Sequence, residues 1–421
     1  MADATIIWSG GAAAVAETHT VTPANPNTSD VYFIKLEDWQ GLTHSISFTV
    51  AATETVAAVT EGLTAAAAAA KTGGADAWSG VTVADDTTHI TIVSDTAGKG
   101  FTVTTSVTDG AGGTAPTLTD ATTTANAGPN LFGAAENFVG DTLYAAGDNV
   151  IIPSGATDDI YGMDASATKL KSFTIEEGCN INIGSLNKKL QLDMTYSATA
   201  YPVVTYGTGS LFLDIDNYSY IDIRDAGSGN PAAGTYALNL VGTTASAEGA
   251  IYVRAGAGNS ISLAGNAGET LEAESVSVWS GVVQIGTVVD NAASTLPLVT
   301  IEGGVASLKS AAHTVNANGG TLTRSGVSAI DTALNVDGGT VIDNGSGTIL
   351  LVNIFGKGTI NARANAVGVT YTACELWSGA SILDSFKKIT FTDGINLNRC
   401  SLSDVTLDLG TNLKITRAPV S

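Results

Sequence analysis

Charge is scarce in this chain: 14% of its 421 residues are Asp, Glu, Lys or Arg, where an ordinary soluble domain carries roughly 25%. Positive charge is scarcest, with 18 Lys and Arg against 40 Asp and Glu, so the net charge is −22. Such a surface repels phosphate backbones, and no nucleic-acid partner is expected. Long apolar runs are also missing. The longest, Ala65 to Ala70, falls far short of the roughly 20 residues of a spanning helix, so no membrane insertion is expected. Cysteine is limited to Cys179, Cys374 and Cys400, odd in number and widely separated, which reads as free buried thiols, not a disulfide framework or a metal knuckle. The opening Met1-Ala2-Asp3-Ala4-Thr5 carries an acid where a secretory signal has its basic region, and the expectation is assembly in the cytoplasm.

Chemical motifs are missing in the same way. His19, His44, His89 and His313 have no HExxH or His-x-His spacing, and no Cys or carboxylate stands at ligand spacing from them. The many serines include no GxSxG elbow. Gly110-Ala111-Gly112-Gly113 neither follows a strand nor opens a helix, and there is no GxxxxGK[ST], so nucleotide binding falls away. Calcium lacks both a DxDxDG loop and a nonapeptide repeat. No catalytic, cofactor-binding or metal-binding residue is assigned, and no cofactor is expected.

What is abundant is small and apolar: hydrophobic residues make up 44% and glycine contributes 48 residues, a composition that argues against long disorder. The chain divides into residues 1–108, a linker at 109–130 rich in Gly, Thr, Ala and Pro, and residues 131–421. In the first part, strands are expected at Val31 to Leu36, Ser45 to Val50, Val81 to Val83, Thr88 to Val93 and Phe101 to Val107. A helix is expected from Thr55 to about Lys71, where Val56, Val59 and Leu63 recur at helical spacing and Gly73-Gly74 supplies a stop. This is a small α+β domain with mainly antiparallel strands. After Asn130, short β-branched runs alternate with Gly, Asn and Asp turns. Glycine-led strands start at Gly303, Gly319, Gly338 and Gly356, thus 16, 19 and 18 residues apart. A period near 20 built from short strands and tight turns marks a β-solenoid, and the irregular spacing favours a right-handed parallel β-helix. A stack of β-sandwiches is the competing architecture, because it shares the turn spacing.

Candidate sites are few. Trp-Ser-Gly recurs at Trp8, Trp78, Trp279 and Trp377; a sugar platform is one reading, and packing or subunit contact is the plainer one. Polysaccharide cleavage needs two acids some 5–9 Å apart, and alternation in a strand puts Asp214 with Asp216, Asp222 with Arg224, and Glu272 with Glu274 on common faces. The first pair has Tyr218 and Tyr220 nearby and Arg224 within reach. In a solenoid, however, outward positions are polar by default, so each pair is expected to be a solvated face. Asp85-Asp86 and Asp158-Asp159 sit in turns, where Asp caps its own backbone.

The segments Ser45 to Val50, Thr55 to Leu63, and Thr88 to Val103 with its turn Ser94-Asp95-Thr96-Ala97-Gly98-Lys99-Gly100 resemble a small domain of tailed-phage and prophage structural proteins. Gly147 to Ala156 is similar to the opening coil of the β-helix that follows that domain. The resemblance spans about 70 residues well and the solenoid only in texture, and it carries no catalytic motif. It implies a virion structural protein on the particle surface. Without a heptad shaft or a collagen-like run, a non-enzymatic capsid decoration protein is expected, assembled in the host cytoplasm, with the major capsid protein or another virion protein as partner. A tail fibre, or a tailspike that depolymerises polysaccharide, is the alternative. A homotrimer is expected because closed symmetry buries an uncharged outer face without leaving an open polymer, and a host surface glycan is a candidate ligand.

Overall fold

The computed structural model describes residues 4–51, 55–110, 112–161, 164–194, 203–207, 209–216, 220–224, 234–241, 250–254, 260–263, 271–273, 275–286, 288–289, 298–309, 311–326 and 329–410. Strands dominate, and the long second part is a parallel β-solenoid as expected. Successive coils contribute to two sheets of 14 strands each among the described residues. The first sheet includes Asn149–Ile152, Ser172–Ile175, Tyr220–Arg224, Ala250–Arg254, Leu298–Ile301 and Ile330–Asp337; the second includes Leu190–Met194, Val282–Ile285 and Ser381–Leu383. The four glycine-led repeats become Val305–Leu308, Thr321–Gly326, Thr340–Gly345 and Thr359–Asn361, consecutive parallel neighbours in the second sheet. Sandwiches would have split them.

Alternation sets the core. Val299, Ile301, Val315, Leu334, Val336, Val352 and Ile354 point inward and are fully buried, each against its counterpart one coil away. Outward positions are tied by polar ladders: Asn335 Nδ2 donates to Asn316 Oδ1 and Asn353 Nδ2 to Asn335 Oδ1, both at 2.8 Å. Glycine marks the corners because coils stack there backbone on backbone. Gly304 has φ +72°, and a Cβ on it would lie 2.5 Å from Gly281 O. Coil length is loose, since Val299 pairs with Val315 but Phe173 with Val203, and register shifts occur in some ladders, as between Ala312 and Thr314 and between Val253 and Arg254.

The first part holds two antiparallel sheets. One runs Val81–Asp85, Ile90–Ser94, Thr18–Ala24, Thr117–Thr124; the other Thr43–Thr49, Val31–Glu37, Thr102–Thr108. Helix Val56–Thr72 starts at Thr55, whose hydroxyl accepts from Ala58 N, and buries Val59, Thr60, Leu63 and Ala67. The module's core gathers Tyr32, Ile34, Leu36, Ile92 and Trp78 around them.

The junction differs from the expected boundaries. The stretch 109–130 contains Thr117–Thr124, an edge strand of the module paired to Thr18–Ala24. Residues Thr5–Ile7 belong to the solenoid, where they pair in parallel with Asn149–Ile152. The module is therefore an insertion between the first and second strands of the solenoid's first sheet, and the chain crosses the junction twice. Val15 bridges Ala127. Buried Asn137 fastens both crossings: its Nδ2 donates to Gly128 O at 2.8 Å and Leu131 O at 2.9 Å, and its Oδ1 accepts from Ala12 N at 2.9 Å. Beneath them Trp8, Phe132, Phe138 and Tyr144 form an aromatic plug over Phe173, closing a core that would otherwise face water at the end of the stack. Lateral contacts add to the hold: Trp39 packs on Tyr161 at 4.9 Å between centroids, Ser185 Oγ donates to Gln40 O at 2.6 Å, and Lys188 Nζ meets Glu37 Oε1 at 3.0 Å.

Trp8→Ala removes the centre of this plug and should cost about 3–5 kcal/mol. A fall in the denaturation midpoint of the full chain, followed by the far-ultraviolet β signal, is the expected outcome; an unchanged midpoint would show that the plug is dispensable.

Candidate functional site

Three polar constellations stand out among the described residues, and each has a structural reading to overcome. The first lies inside the solenoid. Arg324 and Asp343 occupy inward positions of neighbouring strands in direct register, and both are fully buried. Arg324 Nε and Nη2 reach Asp343 Oδ1 at 2.9 and 2.7 Å, Tyr371 Oη donates to Asp343 Oδ2 at 2.7 Å, and Gly345 N donates to Oδ1 at 3.1 Å. Burial, then the Asp343 charge, pushes the Tyr371 phenol far above its ordinary range, so its proton stays in place to be donated. Gly345 is needed here, because a Cβ would sit 2.7 Å from Arg324 Cζ. With no route to solvent, this network is a coil-to-coil lock.

The second is His313 with Asp331 and Thr332, on adjacent outward positions of the first sheet. Asp331 Oδ1 lies 2.9 Å from Nδ1, while Thr332 Oγ1 lies 3.1 Å from Nδ1 and 2.9 Å from Nε2. A hydroxyl near both ring nitrogens is off the axis of either, so the imidazole is not aligned to take its proton. All three groups are solvated, and the arrangement reads as a surface ladder.

The third is the one with open chemistry. Asp222 and Arg224, which alternation places on one face, lie outward on Tyr220–Arg224, and register sets Tyr252 beside Asp222 and Arg254 beside Arg224 on the next coil. The Asp222 side chain is fully buried, whereas Arg224 and Arg254 remain 32% and 35% exposed. Arg224 Nε donates to Asp222 Oδ2, Arg254 Nη1 stands 3.7 Å from the same oxygen, and Arg224 Nη1 donates to Tyr206 Oη at 3.4 Å. Burial works to lower the Arg224 pKa, but Asp222 and Tyr206 outweigh it and the guanidinium is held charged. The Arg254 guanidinium lies 5.7 Å from the Tyr252 ring centre and 5.5 Å from that of Trp279, which is 52% exposed. Asp222 Oδ1 is buried and has no hydrogen-bond partner among the described residues. One carboxylate thus organises two guanidinium groups beside an exposed indole.

The other expected positions fall elsewhere. Asp214 and Asp216 lie on the strand Leu211–Asp216, beside Asn239 and Val241 in register; their side chains, like that of Glu272, lie outside the described residues, as do Tyr218 and Glu274 altogether. Trp8 and Trp78 are core residues, and Trp377 stacks on Phe355 at 4.2 Å. Asp86 accepts from Thr88 N and His89 N at 3.0 Å, and these bonds with the Thr88 hydroxyl hold its carboxyl down to about 2, so it caps its turn. Cys179 and Cys374 are buried, and burial pushes the Cys374 thiol up to about 12; Cys400 is half-buried, and its Sγ donates to Leu376 O. Among the described residues, no group of His, Cys, Asp and Glu is placed to hold a metal ion. No protein-family model matches the chain, and no curated protein or solved structure is found to be similar to it.

Asp343→Ala removes the carboxylate paired with the buried Arg324, so a loss of about 3–5 kcal/mol is expected, with much less for the triple change Arg324→Met, Asp343→Leu, Tyr371→Phe, which removes the pair and its tyrosine donor together. Denaturant titration of both variants checks this; equal destabilisation would mean that the network is a net stabiliser and not a lock whose broken half carries the cost.

Proposed function

We propose that the chain is a non-enzymatic structural protein displayed on the surface of a tailed-phage virion, of the capsid-decoration kind, with its inserted module against the particle and its solenoid directed outward. The observation that supports the reading is the doubly crossed, plugged junction, which distinguishes the module-bearing end of the solenoid from its far coils. The resemblance of the module and the opening coil to virion proteins points the same way. Among the described residues, the polar cluster has ion pairs and aromatic rings but no general acid placed beside a second carboxylate, which suits binding better than cleavage.

The same reading includes a homotrimer. The outward stripe of the second sheet passes through Val282, Val305, Thr321, Thr340, Thr359 and Ser381 in unbroken register, flanked by Gln284, Ser307, Thr323, Ile342, Asn361 and Leu383. None of these is charged. A flat face that avoids charge in so acidic a chain is suited to burial against copies of itself, because like-charge repulsion is removed where subunits would meet.

Two measurements test this. Cross-linking on particles from cells that carry the gene should join the module to the major capsid protein; links to baseplate or tail proteins alone would replace decoration by fibre or spike. Light scattering of the purified chain should give three times the monomer mass and fall to the monomer for Thr340→Lys with Thr359→Lys, whereas a stable wild-type monomer at micromolar concentration would contradict the trimer.

A further inference from the structure

Of the chain's four histidines, His19 alone is buried. It takes an inward position of Thr18–Ala24, close to the crossing where Val15 bridges Ala127, and both of its ring nitrogens face carboxylates. Nδ1 lies 2.9 and 3.0 Å from the two oxygens of Asp120, on the edge strand Thr117–Thr124, and Nε2 lies 3.3 Å from Oε1 of Glu17, which precedes its own strand. An ionised carboxylate accepts hydrogen bonds and has none to donate, so both contacts are made only when both ring nitrogens carry protons. The neutral ring has a single N–H and would turn a lone pair on the second carboxylate.

Among the described residues no third charge joins them. The neighbouring strand sets Ile92 opposite His19, the edge strand sets Thr122 opposite it, the Phe101 ring packs on the imidazole at 5.0 Å between centroids, and the helix buries only Val59, Thr60, Leu63 and Ala67. Tyr161 of the solenoid stands beyond Glu17, and burial keeps its phenol protonated. Burial works against the imidazolium too, but Glu17 and Asp120 outweigh it and raise the His19 pKa above 6.5.

We propose that His19 is a pH-sensitive latch: as the imidazolium it fastens the edge strand Thr117–Thr124 to the module, and as the neutral ring it lets Asp120 go and loosens that strand together with the crossing at Val15 and Ala127. The release falls on Asp120 because the two carboxylates are unequally held. Glu17 Oε2 also accepts from Phe101 N at 2.6 Å, so Glu17 stays in place when the ring loses a proton. The Asp120 side chain has no other hydrogen bond or ion pair among the described residues, and Leu118 is the one buried side chain of its strand. What remains there is the backbone ladder and threonine hydroxyl contacts at the rim, such as Thr123 Oγ1 to Thr18 O. Because pairing raises the histidine pKa, the hold is fully present below the ordinary value of 6.5 and is lost as pH rises through the raised value of the folded chain. The latch belongs to the module itself and operates whatever surface the protein is displayed on.

Hydrogen–deuterium exchange of the full chain, read by mass spectrometry from about pH 6 to about pH 9 with exchange times scaled for the intrinsic rate, tests it. Peptides covering Thr117–Ala127 should lose protection by about tenfold across the series, a factor of ten being one pKa unit, while those covering Val31–Glu37 keep theirs. Asp120→Asn should flatten the response, because the amide can donate to a neutral Nδ1 while Nε2–H donates to Glu17, so that the neutral ring is satisfied on both sides. His19→Gln, which cannot titrate, should flatten it as well. Level protection of Thr117–Ala127 in the unaltered chain, the same fall in Asp120→Asn, or a fall of equal size in Val31–Glu37 would each overturn the latch. Should His19→Gln disturb the fold, seen as a shifted melting curve, Asp120→Asn, whose side chain is 21% exposed, decides alone. Cross-linking to the particle is a separate readout, so this inference and the attachment reading fail separately.

Discussion

Parallel coils bury inward side chains only against the coil above and the coil below, so every coil depends on having a neighbour on both sides. Inside the stack this is cheap to satisfy: Val299, Val315, Leu334 and Val352 follow one another in register and each excludes water from the next. At an end it is not, because the last apolar layer faces solvent. The chain meets that constraint at its first coil with a strand drawn from residues 5–7 and an aromatic layer around Trp8, and the small module is inserted immediately after that strand. The position of the module follows from the same need.

The constraint also explains the polar features of the interior. A buried Arg324–Asp343 pair would be no gain over apolar side chains of similar size, but it can be satisfied only when two specific coils sit in one register, with Tyr371 and Gly345 completing the set. Apolar ladders of similar side chains tolerate slippage; a charge pair does not. Outward, the two sheets differ: one presents an uncharged stripe, the other the arginine, aspartate and tryptophan cluster.

The helix at Val56–Thr72, the strands that follow it and the glycine-led repeats were legible because each carries its own periodicity. The edges were not. In Thr18–Ala24 the inward positions are His19, Val21 and Pro23, so alternation is masked; His19 is accommodated by Asp120 and Glu17, at 2.9 and 3.3 Å. Thr117–Thr124 has Leu118 as its one buried apolar side chain and reads as a threonine-rich linker. Thr5–Ile7 is too short to signal pairing with a strand more than 140 residues away. Of the open cluster, Asp222 and Arg224 were visible from alternation within one strand. Arg254 and Tyr252 were not, because their approach is set by register across a coil of 30 residues, from Asp222 to Tyr252, a separation that no local alternation reveals. Arg324 was not legible either: nothing in its own strand marks it as inward, and only its partner one coil on, Asp343, shows why it points in.

The central claim is that successive strands of the second sheet are stacked in parallel, one per coil, in a single register. Spin labels on the outward stripe measure this directly. With one label on Val282 and a second on Thr340, Thr359, Ser381 or Thr406, in chains diluted with unlabelled protein, each step to the next coil should lengthen the mean distance by about 4.8 Å, reaching about 29 Å at Thr406. Distances that fail to rise in equal steps, or that shorten between Thr340 and Thr406, would contradict the solenoid and everything built on its register.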